Sequence, residues 1–64
     1  MKRKDLERQI NDIAKRNGFV ARWSEGANHS KVQVGKAQTT VPRHTEINDL
    51  TAKSILRYIK RMMK

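Results

Sequence analysis

Val34-Gly35-Lys36-Ala37 constrains this chain more than any other four residues. Glycine at the first central position of a two-residue loop marks a type II′ hairpin turn, where that position takes a positive φ. Such a loop sets the register of the strands it joins. Val34 falls opposite Ala37, Val32 opposite Thr39 and Ser30 opposite Val41, and all six share the more apolar face. On the other face Gln33 opposes Gln38, Lys31 opposes Thr40, and His29 points toward Pro42. A slip of one residue would carry the valines into water, so the pattern resists slippage. Pro42 ends the third strand, because proline has no N–H to give to a ladder.

The flanking segments read as helices. Leu6, Ile10, Ile13 and Ala14 recur at the spacing of one helical stripe, with Lys2, Arg3, Lys4, Arg8 and Lys15 largely on the wet side. Gly18 follows Asn17 where a left-handed helix stop belongs, which predicts a helix over roughly 3–17. Phe19 to Trp23 reads as a strand, with Phe19, Ala21 and Trp23 on a core face and Val20 and Arg22 on the other. Ser24-Glu25-Gly26-Ala27-Asn28 is rich in turn formers, and Arg43 through Leu50 is a connection. The last segment carries an apolar stripe of Ala52, Ile55, Leu56, Ile59, Met62 and Met63 and a basic stripe of Lys53, Arg57, Lys60, Arg61 and Lys64. Thr51 is the expected N-cap, and Asp49 suits the positive end of that helix.

The predicted class is α+β: a single domain over 1–64 in the order α-β-β-β-α. Laying both helices on one face of a three-stranded antiparallel sheet buries both helical stripes. That arrangement leaves Arg22, His29, Lys31 and Gln33 on an open face.

With 64 residues and no cysteine, the chain has no disulfide or thiolate-metal site to stabilise it. A chain of this size buries only ~60% of the surface its unfolded form exposes, so packing and partners carry the stability. Fifteen lysines and arginines against six acidic residues give a net charge of +9. That points to a polyanionic partner: RNA, DNA, an anionic membrane or an acidic protein. No window approaches the ~20 apolar residues that span a bilayer. The basic start, Met1-Lys2-Arg3-Lys4-Asp5, leads into an amphipathic segment rather than an apolar one, so the expectation is a soluble cytoplasmic protein without a membrane partner. The basic stripe of the last helix reads as an RNA-backbone or acidic-partner surface, since the small core needs the isoleucines and methionines itself. Two histidines and scattered carboxylates show no ligand spacing, so no metal or other cofactor is expected.

Within this frame His29 is the candidate catalytic residue. It sits in Gly26-Ala27-Asn28-His29-Ser30-Lys31, a turn opening onto a strand, and an imidazole among cations sets a proton-transfer group beside a phosphate-holding surface. Lys31 shares its face, and Arg22 joins them if the first two strands pair. These cations would hold a phosphate and stabilise charge developing on it. For RNA the implied reaction is deprotonation of a ribose 2′-OH, attack on the adjacent phosphodiester, and release of a cyclic phosphate and a 5′-OH. His44, in Val41-Pro42-Arg43-His44-Thr45-Glu46, either divides the acid and base roles with His29 or, with Glu46, braces the loop. A histidine with no task on a plain nucleic-acid-binding module accounts for the same residues.

Gly18-Phe19, Arg22, the Gly26-x-x-His29 turn, Val41-Pro42-x-His44, Glu46-Ile47 and the closing Thr51-x-x-Ser54-Ile55-Leu56 helix together resemble HicA toxins, the mRNA interferases of bacterial type II toxin–antitoxin pairs. The resemblance spans Leu6 to Ile59. Where the common form is Gly-Ser-His, Ala27 and Asn28 separate Gly26 from His29, as in a Gly-x-Asn-His and Pro-Arg-His subgroup. The resemblance implies a double-stranded-RNA-binding-domain-like fold and metal-independent RNA cleavage by His29. It also implies inhibition by a cognate HicB antitoxin that covers the active-site region. Arg22, Lys31, Arg43 and His44 are then expected to bind RNA or support catalysis, and Lys53, Arg57, Lys60 and Arg61 to meet RNA or antitoxin. A non-catalytic RNA-binding domain of the same fold is the alternative, and a basic structural protein with an acidic partner is a third.

Overall fold

In a computed structural model that describes residues 1–63, the chain runs α1 (Arg3–Arg16), β1 (Arg22–Glu25), β2 (His29–Val34), β3 (Ala37–Pro42) and α2 (Asp49–Met62). Lys64, assigned above to the basic stripe, lies outside the described residues. The three strands form one antiparallel sheet in the order β1-β2-β3, and both helices pack on one face of it. The smallest extent of the molecule is 15 Å, room for one helical layer on one sheet layer and no more.

The hairpin has the expected register from Val34↔Ala37 to His29↔Pro42. Gly35 takes φ +58° and Lys36 has no positive φ, the combination a type II′ turn demands. Val32, Val34, Ala37 and Val41 therefore point at the helices and are buried. Leu6, Ile10 and Ala14 of α1 and Ala52, Ile55, Leu56 and Ile59 of α2 close over them.

The first strand starts later than the sequence predicts. Helix α1 ends in a Schellman motif: Gly18 N–H donates to Lys15 O at 3.2 Å and Phe19 N–H to Ala14 O at 2.8 Å, with Gly18 at φ +78°. The chain leaves that motif outside the sheet, and β1 begins only at Arg22. Phe19 is 40% exposed instead of buried with the core, and its ring lies over Gly35. Trp23 does face the helices, half-buried, with its indole N–H donating to Asn11 Oδ1 at 3.1 Å.

The connection into α2 is tied down by the N-terminal residues. Met1 and Ile47 exchange backbone hydrogen bonds, Ile47 N–H to Met1 O at 2.7 Å and Met1 N to Ile47 O at 3.0 Å, and Arg3 N–H reaches Thr45 O at 2.9 Å. This pairing buries Ile47 and places the start of α2 one turn earlier than expected. The N-cap is Asn48, whose Oδ1 accepts from Leu50 N–H at 2.8 Å, rather than Thr51. Asp49 occupies the first turn as expected and accepts from the Met1 ammonium at 2.8 Å. That hydrogen bond raises the pKa of the amine and lowers that of the carboxyl.

Candidate functional site

Strand alternation builds the open face. Arg22 and Ser24 of β1, His29, Lys31 and Gln33 of β2, and Gln38 and Thr40 of β3 all point away from the helices and are exposed. The pairing of β1 with β2 sets Arg22 opposite Gln33 and Ser24 opposite Lys31, so Arg22 does share a face with His29 and Lys31. Glu25 belongs to the other face, and no strand residue of the open face is a carboxylate.

The three residues are not equidistant. His29 and Lys31 are neighbours on one face of β2, about 7 Å apart along the strand. Arg22 stands in the row of Gln33, about 13 Å along from His29. Arg22 and Lys31 line one shallow hollow of about 190 Å³ with Ser24, Gln33 and Gln38. His29 opens on a second, of about 370 Å³, with Thr40, Pro42, Leu50, Thr51, Ser54 and Ile55.

The second hollow exists because of where α2 lies. Ile55 is buried, and Thr51, Ser54 and Tyr58 share its flank of the helix at helical spacing. The Tyr58 hydroxyl accepts from Gln38 N–H at 3.4 Å on the outer edge of β3. Helix α2 thus runs beside β3, and its first turn overhangs the end of the strand where His29 pairs with Pro42. Lys53 and Lys60 project from the opposite flank of α2, Arg57 and Arg61 continue the stripe of Leu50 and Ser54, and all four are exposed.

His29 is presented by a tight turn. Gly26 N–H donates to His29 O at 2.9 Å, and a Cβ on Gly26 would stand 3.0 Å from that same oxygen, so a side chain there would push the turn open. Arg43 braces this turn from the helix side. Its guanidinium donates to Gly26 O and its Nε lies 3.5 Å from Glu25 Oε1. Arg43 therefore does not join His29. It lines a separate hollow of about 430 Å³ with Lys2, Arg3, Lys4, Glu7 and Thr45. His44 is exposed beyond the end of β3 and does not line the His29 hollow. The Glu46 carboxylate lies 4.0 Å from the Met1 ammonium, and among the described residues no hydrogen bond joins it to His44.

Thr40, Leu50, Thr51 and Ser54 escaped the sequence reading as site residues. Their signal was the spacing of Thr51, Ser54, Ile55 and Tyr58, a second stripe flanking the buried one, but only the placement of α2 beside β3 brings it to His29. Among the described residues no group of three or more histidine, cysteine or acidic side chains is placed to hold a metal ion, and no helix is long and apolar enough to cross a membrane. No family model, curated protein or solved structure matches this chain.

Proposed function

We propose that this chain is an endoribonuclease toxin of the HicA type: a cytoplasmic mRNA interferase that cuts RNA without a metal and is restrained by a HicB-type antitoxin protein. The observation that carries the reading is His29 beside Lys31 on an exposed, carboxylate-free sheet face, with a hollow opening at the imidazole. The helix–three strands–helix order is also the one that a double-stranded-RNA-binding-domain-like fold requires.

The chemistry follows from that pairing. The imidazole of His29 takes the proton of a ribose 2′-OH, and the 2′-oxygen forms a bond to the adjacent phosphorus. The bond from phosphorus to the 5′-oxygen breaks, and that oxygen takes a proton from water on the open face. The products are a 2′,3′-cyclic phosphate and a 5′-OH. Lys31, about 7 Å along the strand, reaches the phosphate and stabilises charge as it builds on the equatorial oxygens. Arg22, further along, addresses a neighbouring phosphate of the same strand. Lys53 and Lys60 offer a separate surface for RNA backbone or for the antitoxin, and Arg57 and Arg61 extend along α2 from Leu50 and Ser54 toward either.

Incubation of the purified protein with a long RNA in EDTA tests the proposal. Wild type cuts and His29→Ala does not, and an RNA with a 2′-deoxy residue at the cleaved position resists. Equal degradation by wild type and variant would overturn it. A second reading, a non-catalytic RNA-binding domain, draws on one observation: among the described residues nothing hydrogen-bonds to the His29 ring to orient it. RNA binding by wild type with no cleavage would select that reading.

A further inference from the structure

Leu50 is a large apolar side chain left 76% exposed on the first turn of α2, and it contributes to no part of the core. It lines the His29 hollow together with Pro42 and Ile55, while Thr40, Thr51 and Ser54 bring hydroxyls to the same space. No acidic side chain lines that hollow. We propose that it is a nucleobase subsite, holding the base of the nucleotide whose 2′-hydroxyl meets His29. The assignment deepens the ribonuclease reading above and rests on it.

Covalent geometry argues for the assignment. A 2′-oxygen within ~3 Å of the imidazole fixes the ribose beside His29, and the base hangs from the adjacent ring carbon. The phosphate lies on one side of that ribose and the base on the other. Lys31 lies on the β2 side of His29 and accounts for the phosphate. The hollow toward β3 and α2 is then where the base goes. Its lining matches a base in kind: apolar groups for the ring face, and hydroxyls, each both donor and acceptor, for the polar edge. Single-stranded RNA is read by splaying its bases out against protein surfaces, and this open hollow offers a base one apolar wall and a hydroxyl-lined edge.

The test uses the full chain and ligands that cannot be cut. Each of the four nucleoside 3′-monophosphates is titrated and followed by NMR, with inorganic phosphate as the comparison. At least one nucleotide shifts the Leu50 methyls and the Thr40 and Thr51 amides, phosphate alone does not, and Leu50→Ala weakens that nucleotide about tenfold. If none of the four moves those resonances, the subsite is wrong. In a second arm, cut sites in a long RNA are sequenced for wild type, Leu50→Ala and Ser54→Ala. Both variants alter the base preference immediately 5′ of the cut, and unchanged cut sites overturn the assignment. A chain that cuts no RNA defeats the ribonuclease reading instead, and the titration still decides the subsite.

Discussion

Arg3 reaches across the molecule to Ser30: its Nη2 donates to Ser30 Oγ at 2.6 Å between residues 27 apart in sequence. Ser30 is fully buried in the apolar row of β2, and its hydroxyl passes the contact on by donating to Glu25 Oε1 at 3.1 Å. Glu25 in turn meets Arg43, which holds Gly26 O. One chain of polar contacts therefore links the first turn of α1, the middle strand of the sheet and both sides of the turn that presents His29. It also accommodates Arg3 at the positive end of α1, where a cation is unfavourable. Arg3 is engaged by Ser30 and by Glu7 at 3.1 Å.

Ser30→Ala should be costly for so small a change. The substitution removes an acceptor from Arg3 and a donor from Glu25 in a partly buried setting, where an unmet polar group costs ~1–3 kcal/mol. A chain of this length has on the order of 3–10 kcal/mol in all. Urea unfolding of Ser30→Ala is expected to show a lower midpoint with an unchanged slope. A midpoint equal to wild type would mean the network contributes nothing net.

The two glycines with positive φ make a matched pair. At Gly18 a Cβ would meet nothing within 4 Å, so Gly18→Ala carries only the left-handed backbone cost, ~1–2 kcal/mol. At Gly35 the same Cβ would stand 2.9 Å from the Phe19 ring, so Gly35→Ala adds a steric cost to the backbone one. Gly35→Ala should therefore destabilise more than Gly18→Ala by thermal melting. Adding Phe19→Ala should recover part of the difference, and additive effects of the two substitutions would show that ring and turn are independent.

The hairpin was legible because two independent signals agree on it: the turn chemistry of Gly35 and the period-two burial of Val32, Val34 and Val41. Both depend on near neighbours in sequence. The start of β1 was misread because Phe19-Val20-Ala21 alternates like a strand, while the hydrogen bonds that close α1 direct it elsewhere. Asn48 and Thr51 are both competent caps, and the choice between them was made by the pairing of Met1 with Ile47, remote in sequence. For the same reason the His29 hollow was only half visible. Its β2 and β3 residues follow from register, whereas Leu50, Thr51 and Ser54 arrive through the docking of α2. Register places Ser30 in the apolar row, but nothing local announces Arg3 as its partner.

The Met1–Asp49 pair predicts a bounded pH window. Its hydrogen bond holds the Asp49 carboxyl below its ordinary 3.8, so that contribution is present above about pH 4 and is lost as pH falls through the depressed value. The same bond holds the Met1 amine above its ordinary 8.0, so that contribution is present below about pH 8 and is lost as pH rises through the elevated value. Melting wild type against Asp49→Asn should give a constant difference from about pH 5 to 7 that shrinks on both sides. Because both groups are exposed, the difference should also fall with added salt. A difference that persists unchanged as pH rises through the titration of the Met1 amine would assign the effect of Asp49 to the helix end rather than to Met1, because the helix end does not titrate.

Salt dependence separates the two basic surfaces. If a short single-stranded RNA lies along the open sheet face, Arg22 and Lys31 each neutralise a phosphate, and each contributes about 0.7 to the slope of log affinity against log salt. Arg22→Ala and Lys31→Ala should each make that slope shallower by about 0.7, and the double variant by about 1.4. Lys53 and Lys60 stand on the flank of α2 turned away from Thr51 and Ser54, so the Lys53→Ala, Lys60→Ala double variant should leave the slope of a short oligonucleotide unchanged. Fluorescence anisotropy at several salt concentrations reads all of these. The outcome that would move the RNA path is a loss of slope in the α2 variant equal to that in Lys31→Ala. It would mean that the strand crosses the helix, and that the sheet face carrying His29 is not where the backbone runs.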